Sequence, residues 1–194
     1  MNEPLTISNS SVSDHAATGL TYSDFLNQHA TPQQRDKWQS VYEAIELTTA
    51  QTDLLSSFRR IIKVTVLAGA WCGDCVQQCP ILQRFAEHCD LIELRFFDRD
   101  ARPELANRYS LCGGHRVPTV VFFCEDGQFC GLLGDRTLAK YRQLGEQLTG
   151  AACPTGLGID KEMLATVTQE WLNELERIQW MLRLSPRLRE KHND

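Results

Sequence analysis

The chain has 194 residues, of which 42% are hydrophobic, so it is long and apolar enough to bury the core of one domain with additions. Its formal net charge of −5 argues against nucleic acid or an anionic membrane as the main partner. No apolar run approaches the roughly 20 residues that a membrane-spanning helix needs. Residues 1–18 lack the basic start and the apolar stretch of a secretory signal, which makes the cytoplasm the expected location.

Before the first strand, the sequence predicts a helical extension over residues 20–62. Residues 1–19 contain few apolar side chains and are expected to form a disordered tail. A short helix is predicted at residues 22–29. Thr31 begins a second helix, because this capping threonine is followed by proline and by a glutamine placed to close a capping box. A third helix is predicted to begin at Thr49. The apolar face of the second helix is formed by Trp38, Val41, Tyr42 and Ile45.

The next stretch predicts a buried strand that leads directly into a helix carrying two cysteines. Residues 63–68 are mostly β-branched and apolar, as in strands buried on both faces of a parallel sheet. Helical spacing of apolar residues begins after Trp71, so Cys72 lies at or just before the first turn. Unpaired backbone N–H groups and the helix dipole favour a thiolate there, and we expect Cys72 to be an exposed nucleophile. Cys75, one turn later, is placed to resolve a mixed disulfide formed at Cys72.

Asp74 lies between the two cysteines and opposes the effect of the helix terminus on the Cys72 thiolate, because a nearby carboxylate disfavours a second negative charge. It should hold up the pKa of the Cys72 thiol, which predicts a disulfide reductant rather than a strong oxidant. The same two-cysteine spacing is also half of a zinc site, but the remaining cysteines contain no second pair of this kind, so a redox pair is favoured. Cys79 shares a helix face with the pair and is either a third redox partner or, as we favour, a buried core thiol.

The remaining core elements predict an α/β fold over residues 63–150, a four-stranded mixed sheet with helices on both faces. A strand at 91–97 and a helix at 103–109 follow the cysteine helix, and this order gives parallel strands with a right-handed crossover. The acidic residues at 98–100 are interpreted as a solvated turn with a helix cap rather than a metal site. Two further strands flank the tight turn Glu125-Asp126-Gly127 and predict an antiparallel hairpin, which a closing helix follows.

The C-terminal part predicts one added helix. Residues 151–158 contain Gly and Pro and predict a linker to a long amphipathic helix over residues 159–186, which Pro186 ends. We expect this helix to pack on the Trp38 helix of the same chain, which favours a monomer. The alternative is a dimer formed through its apolar stripe. The charged residues 187–194 are expected to be frayed.

Three features together resemble the thioredoxin family. They are Trp71-Cys72-Gly73-Asp74-Cys75 after a buried strand, Pro80 five residues beyond the second cysteine, and Val117-Pro118-Thr119 at the start of a later strand. Over roughly residues 20–184, the chain looks like a bacterial thioredoxin-like branch of that family with added helices at both termini. The resemblance implies a three-layer thioredoxin-like fold in which Pro80 kinks the cysteine helix.

The resemblance also implies roles for residues around the dithiol. Trp71 shields and positions it, Pro118 is cis and lies against it, and the backbone of Val117 is an edge on which an extended substrate docks. Arg116 would flank the dithiol and either attract acidic substrates or lower the pKa of Cys72, unless it is a surface residue without a role. The expected substrate-binding residues are Trp71, Gly73, Asp74, Arg116, Val117 and Pro118.

Val66 departs from the family pattern, because it replaces a buried aspartate that helps to move the proton of the resolving cysteine. Asp74 or Asp98 could substitute for that aspartate through water. We expect a thiol–disulfide oxidoreductase that reduces protein or small-molecule disulfides with Cys72 and Cys75. It would need an electron-donating reductase and no metal or cofactor beyond the Cys72–Cys75 disulfide.

Two other functions are compatible with the same residues. In the first, the chain is a non-catalytic binding module of the same fold whose added helices form the interface. In the second, it is a peroxidase or a glutathione-dependent enzyme in which Cys72 alone suffices.

Overall fold

The computed structural model describes residues 18–146 and 160–194. Nearly all of the predicted tail at 1–19, the whole predicted linker at 151–158 and the end of the predicted closing helix lie outside these residues. Cys153 lies outside them as well.

A four-stranded mixed sheet forms the centre of the molecule, as predicted. Its strands are β1 (Ile62–Ala68), β2 (Ile92–Asp98), β3 (Thr119–Cys124) and β4 (Phe129–Gly134). They lie in the order β2-β1-β3-β4. β1 pairs with β2 in parallel, whereas the β1–β3 and β3–β4 pairs are antiparallel. The parallel pair brings the carboxyl ends of β1 and β2 to the same edge of the sheet, where the cysteine helix begins.

Burial follows the position of each strand in the sheet. Every residue of the central strand β3 is buried, and in β1 only Lys63 is partly exposed. The edge strands are less buried. The outer edge of β2 is covered by Leu20, whose backbone exchanges two hydrogen bonds with Phe96, at 2.9 and 2.8 Å. This contact satisfies part of an edge that would otherwise present unpaired backbone groups.

Eight helices flank the sheet within the described residues. The three N-terminal helices are α1 (Tyr22–His29), α2 (Pro32–Ala44) and α3 (Thr49–Ser56). The two crossover helices are α4 (Gly73–His88) and α5 (Pro103–Arg108). The remaining three are α6 (Leu138–Glu146), α7 (Lys161–Leu184) and α8 (Pro186–His192).

Local capping chemistry determines where the N-terminal helices begin. The capping box predicted for α2 is confirmed: Thr31 Oγ1 accepts from the Gln34 backbone N–H, and the Gln34 side chain accepts from the Thr31 N–H at 2.8 Å. The N-cap of α3 is Thr48 rather than the predicted Thr49. Thr48 is the N-cap because Gln51 lies three residues beyond it and closes a second capping box.

The C-terminal helix α7 packs mainly on α4 and α6, so the prediction that it packs on the Trp38 helix names the wrong partner. The face of α2 that carries Trp38 is already filled. Trp38 is fully buried against Phe25 and Tyr22, and its indole N–H donates to the Ala70 carbonyl at 3.0 Å. Trp171 of α7 instead donates its indole N–H to a side chain of α4 at 3.1 Å.

The last residues form the helix α8, and the prediction that residues 187–194 are frayed is wrong. Leu188 is buried, and the charged side chains around it are paired with residues far away in the chain. Arg187 pairs with Asp126, and Lys191 and His192 pair with Glu125. These contacts hold α8 against the turn between β3 and β4.

Candidate functional site

Cys72 and Cys75 lie where β1 ends and α4 begins. Cys72 is the N-cap residue of α4, with an extended backbone at φ −81° and ψ 125°. Its N–H donates to the Gly69 carbonyl at 2.9 Å, and its own carbonyl accepts the N–H of Val76 at 3.0 Å. The strand, a tight turn and the first helical hydrogen bond therefore place Cys72 at the helix N-terminus, where the sequence predicts it.

The two thiols differ in exposure. Cys72 is partly exposed and its Sγ donates to the Val117 carbonyl at 3.4 Å, whereas Cys75 is fully buried and its Sγ accepts from the Gly69 N–H at 3.5 Å. Cys79, also fully buried, lies one turn further along α4, and its thiol contributes to raising the pKa of Cys75 after burial, the larger cause. The seven cysteines that the structure describes are free thiols. The arrangement provides one accessible sulfur backed by one inaccessible sulfur.

The environment disfavours negative charge on this pair. The hydrogen bond with Cys75 and partial burial raise the pKa of the Cys72 thiol, and the Asp74 carboxylate adds to the rise. The Cys75 backbone N–H lowers that pKa but is outweighed. Burial raises the pKa of Cys75 well above that of a free thiol. The net direction at Cys72 is therefore opposite to the one predicted from the helix terminus alone, because the neighbouring thiol and burial outweigh the backbone.

The loop before β3 lies against the dithiol. Its Val117–Pro118 peptide bond is cis, and both residues are buried. Thr119 Oγ1 donates to the Arg116 carbonyl at 2.8 Å, which holds the loop in its turn. On the other side, Gly134 packs so closely that an added Cβ would lie 2.5 Å from the Pro118 carbonyl oxygen. The loop is thus held from two directions opposite Cys72.

Trp71 is half exposed beside the dithiol, and Arg99 holds it there. The guanidinium of Arg99 stacks 4.7 Å from the centre of the indole ring, and its Nη1 donates to the His115 carbonyl at 3.2 Å. The indole also lies across Gly69, where a Cβ would come within 2.7 Å of the ring. Arg99 is missing from the sequence-based site. Its position directly after β2 is the signal that could have found it, because the carboxyl ends of neighbouring parallel strands meet.

Asp74 does not face the surface as a substrate-binding residue would. It is 4% exposed, and its Oδ2 accepts from Arg136 Nη2 at 2.5 Å. Arg136 also pairs with Asp135 at 2.8 Å, and Asp135 in turn accepts from Tyr141 and lies 3.4 Å from Arg116 Nη1. We call these five residues the Asp74–Arg136 cluster. It lies beneath the dithiol, and two of its members reach solvent: the Arg116 side chain and Tyr141 are each 43% exposed.

Gln78 connects this cluster to the C-terminal helix, a role that the sequence does not predict. Its Nε2 donates to the backbone carbonyls of Asp135 at 2.9 Å and Asp74 at 3.3 Å, and its Oε1 accepts from Trp171. At the position of the missing family aspartate, Val66 is fully buried. Asp98 is engaged in its own turn, where its Oδ1 accepts from two backbone N–H groups. Asp74 is therefore the buried carboxylate whose charge helps to raise the pKa of Cys72.

Residues 18–146 and 160–194 contain no cluster of three or more His, Cys, Asp or Glu side chains arranged to hold a metal ion. Over the same residues, no helix combines the length and the apolar character needed to cross a membrane.

Comparisons with known proteins agree with this architecture. A family model described as thioredoxin matches residues 19–148. A curated thioredoxin from Alicyclobacillus acidocaldarius subsp. acidocaldarius is 33% identical over 55 residues, which are 28% of this chain and 50% of that protein. The chain thus spans about half the length of this relative. The matched residues 19–148 include α1 to α3, which the sequence interpretation treats as an added extension.

Two solved structures share the fold. A protein of unknown function from Pseudomonas aeruginosa superposes with a TM-score of 0.68 at 17% identity, covering 86% of this chain and 95% of that one. An HIV epitope scaffold superposes with a TM-score of 0.63 at 18% identity and the same coverage. At such low identity these likenesses bear on the fold alone.

The family match and the fold point to the same family. The matched stretch covers most of the chain and contains Cys72, Cys75 and Pro118. The chain belongs to the thioredoxin family.

Proposed function

We propose that this protein reduces protein or small-molecule disulfides through Cys72 and Cys75. The observation that carries the proposal is the pairing of a partly exposed thiol at the N-cap of α4 with a fully buried thiol one turn later. A substrate sulfur can reach Cys72, whereas Cys75 is accessible only to a sulfur already attached to Cys72. This difference is what a nucleophile and a resolving thiol require.

The proposed reaction has two exchanges. The Cys72 thiolate attacks one sulfur of the substrate disulfide, the substrate S–S bond breaks, and the released thiolate takes a proton from water. Cys75 then loses its proton and attacks the Cys72 sulfur, which releases the second substrate thiol and leaves a Cys72–Cys75 disulfide. The substrate gains two electrons and two protons, and an electron-donating reductase or a small thiol must return them to the pair.

The surroundings provide a docking edge beside the nucleophile. The Val117 carbonyl, 3.4 Å from Cys72 Sγ, can accept a backbone N–H from an extended substrate strand. Trp71 and Gly73 border the accessible sulfur, and Pro118 shapes the loop from beneath. The exposed Arg116 side chain would favour substrates with a carboxylate near the disulfide.

The charge distribution favours a reductant. Because the neighbouring thiol, burial and Asp74 all raise the pKa of Cys72, the dithiol form is poorly stabilised as a thiolate. An oxidising member of the fold would need a strongly stabilised thiolate instead. A reducing compartment such as the cytoplasm, which keeps the other cysteines as thiols, suits this chemistry.

A trapping experiment tests the assignment of the two roles. In Cys75→Ser, Cys72 should attack a small disulfide-bonded protein and remain attached to it as a mixed disulfide that gel electrophoresis detects without reductant. Cys79→Ser is the matched control, because it removes a buried thiol of the same helix while leaving the resolving step intact. Accumulation of the adduct in both variants, or in neither, would contradict the proposed roles.

A second candidate is a binding module that uses the C-terminal helix. Exposed apolar side chains on α7 favour it, with Trp180 49%, Met181 40% and Leu184 68% exposed. A cellular role that survives Cys72→Ser combined with Cys75→Ser, and is lost in Leu184→Glu, would replace the redox assignment with this one.

A further inference from the structure

A second pair of thiols lies across the β3–β4 hairpin. Cys124 is the last residue of β3 and Cys130 the second of β4, in a stretch where the strand register shifts. The Cys124 N–H donates to the Gln128 carbonyl at 2.9 Å, which closes the turn between them. The Cys130 Sγ–H donates to the same Gln128 carbonyl at 3.4 Å, and the Cys124 Sγ–H donates to Asp126 Oδ1 at 2.7 Å, so the two thiols lie close together at the end of the hairpin. Cys130 is partly exposed, whereas Cys124 is 1% exposed.

The surroundings of this pair favour a thiolate at the buried Cys124 near neutral pH. Interaction with the Cys130 thiol is the largest effect and lowers the pKa of Cys124 to about 7, while burial and Asp126 oppose it. Arg187 Nη2 reaches Cys124 Sγ at 3.6 Å from the helix α8, and a cation at this distance favours a thiolate. The pKa of Cys130 is raised by Cys124, so the pair loses its second proton only at a much higher pH.

This pair is remote from Cys72. The loop that touches Cys72 ends at Pro118, and Cys124 lies six residues further along the extended strand β3. At about 3.3 Å per residue this separation is about 20 Å. Cys124 and Cys130 therefore cannot exchange directly with the Cys72–Cys75 pair of the same molecule.

We propose that Cys124 and Cys130 form a second redox-active dithiol, which oxidised glutathione or a similar small disulfide closes into a Cys124–Cys130 disulfide. Like the first site, the pair combines one accessible thiol with one buried thiol. Unlike the first site, it has a cation beside the buried sulfur that favours a thiolate. The proposal does not depend on the activity of Cys72.

The reaction begins at the accessible sulfur. The buried Cys124 thiolate takes the proton of the Cys130 thiol, and the Cys130 thiolate attacks one sulfur of oxidised glutathione. The glutathione S–S bond breaks, and the first glutathione leaves as a thiolate that takes a proton from water. Cys124 then loses its proton to water and attacks the Cys130 sulfur, which releases the second glutathione. Two electrons and two protons pass from the cysteines to one oxidised glutathione, which gives two reduced molecules.

The test uses the full chain carrying Cys72→Ser and Cys75→Ser, so that the first site cannot react. The protein is incubated with oxidised glutathione at pH 7 and digested with trypsin, which releases residues 117–136 as one peptide containing both cysteines. The expected product is this peptide with two hydrogen atoms lost and no lasting glutathione adduct, whereas the exposed Cys112, which serves as the internal comparison, keeps the glutathione that it gains. Adding Cys124→Ser should leave glutathione attached at Cys130, because the resolving thiol is gone.

Substitutions on α8 test the contribution of the cation. Arg187→Gln should slow closure of the disulfide about two- to fivefold at pH 7, because the Cys124 thiolate, which resolves the glutathione adduct, loses a favourable cation. Arg189→Gln is the matched control, because its side chain donates to the Asp194 carbonyl just beyond the end of α8 instead. A peptide 117–136 that keeps two free thiols, or that carries two separate glutathiones at the rate of Cys112, would overturn the proposal.

Discussion

Replacing Asp74 with asparagine should make Cys72 more reactive at neutral pH. The Asp74 carboxylate raises the pKa of Cys72, and its pairing with Arg136 only partly offsets that effect. Asp74→Asn keeps the shape of the side chain and removes the negative charge. The Arg136 guanidinium remains paired with Asp135, so the local field shifts toward stabilising a thiolate.

The magnitude follows from charge and nucleophilicity together. A fall of about one unit in the pKa of Cys72 raises the thiolate fraction at pH 7 about tenfold. Nucleophilicity decreases with pKa along a Brønsted slope of about 0.5, so the net gain in rate is about threefold.

The same substitution should change stability little. Burial raises the pKa of Asp74 above its ordinary 3.8, because desolvation outweighs the attraction of Arg136. A carboxyl with a higher pKa in the folded state supports the fold most at low pH and loses that contribution as the pH rises above 3.8. At pH 7 the ionised carboxylate therefore does not stabilise the fold, and Asp74→Asn should shift the free energy of unfolding by less than about 1 kcal/mol.

Alkylation of Cys72 by iodoacetamide measures the first effect. The rate is followed between pH 6 and pH 9 on the tryptic peptide 64–84, and a thermal melt measures stability. The wild-type rate should rise steadily with pH, without a plateau below pH 8, because the pKa of Cys72 is raised. Asp100→Asn is the control, since that carboxylate is exposed beside Arg99. An Asp74→Asn rate at pH 7 equal to or below the wild-type rate would refute the reasoning.

Three further substitutions or conditions give measurable outcomes. Gly134→Ala places a Cβ 2.5 Å from the Pro118 carbonyl oxygen, which is backbone and cannot give way easily, so it should destabilise the fold by about 1–3 kcal/mol and slow disulfide exchange in a turnover assay. Trp171→Phe removes the hydrogen bond to Gln78 and leaves a small cavity, so the melting temperature should fall by about 2–8 °C, with no change in the alkylation rate of Cys72. The Arg187 hydrogen bond lowers the pKa of Asp126 to about 2, so α8 should stay docked above pH 4 and lose hydrogen-exchange protection as the pH falls from about 4 to about 2, whereas protection that is constant across this range would contradict the pairing.

Elements that depend on neighbours in sequence could be predicted. The capping box at Thr31 and Gln34 involves residues three apart, and the structure has it as expected. The strand β1 and the start of α4 follow from an apolar run and a change in period, so Cys72 could be placed at the N-cap in advance. The mixed sheet follows from the order of strands and helices.

Contacts between distant residues could not be predicted in the same way. Trp171 meets Gln78 across 93 positions, and the charged residues of α8 meet Glu125 and Asp126 across more than 60, so neither periodicity nor composition indicates them. Asp74 is the clearest case. Its place in the motif suggests a surface residue, but the arginine that draws it inward is 62 positions away.

The most direct test of the central claim is a redox titration of the wild-type protein in glutathione buffers, with free thiols trapped and disulfides located by mass spectrometry. The proposed function predicts that Cys72 and Cys75 close together as a reversible two-electron couple at a potential more negative than about −230 mV. If the two thiols remain unlinked across the whole titration while the protein stays folded, they are not a redox pair and the proposed function is wrong.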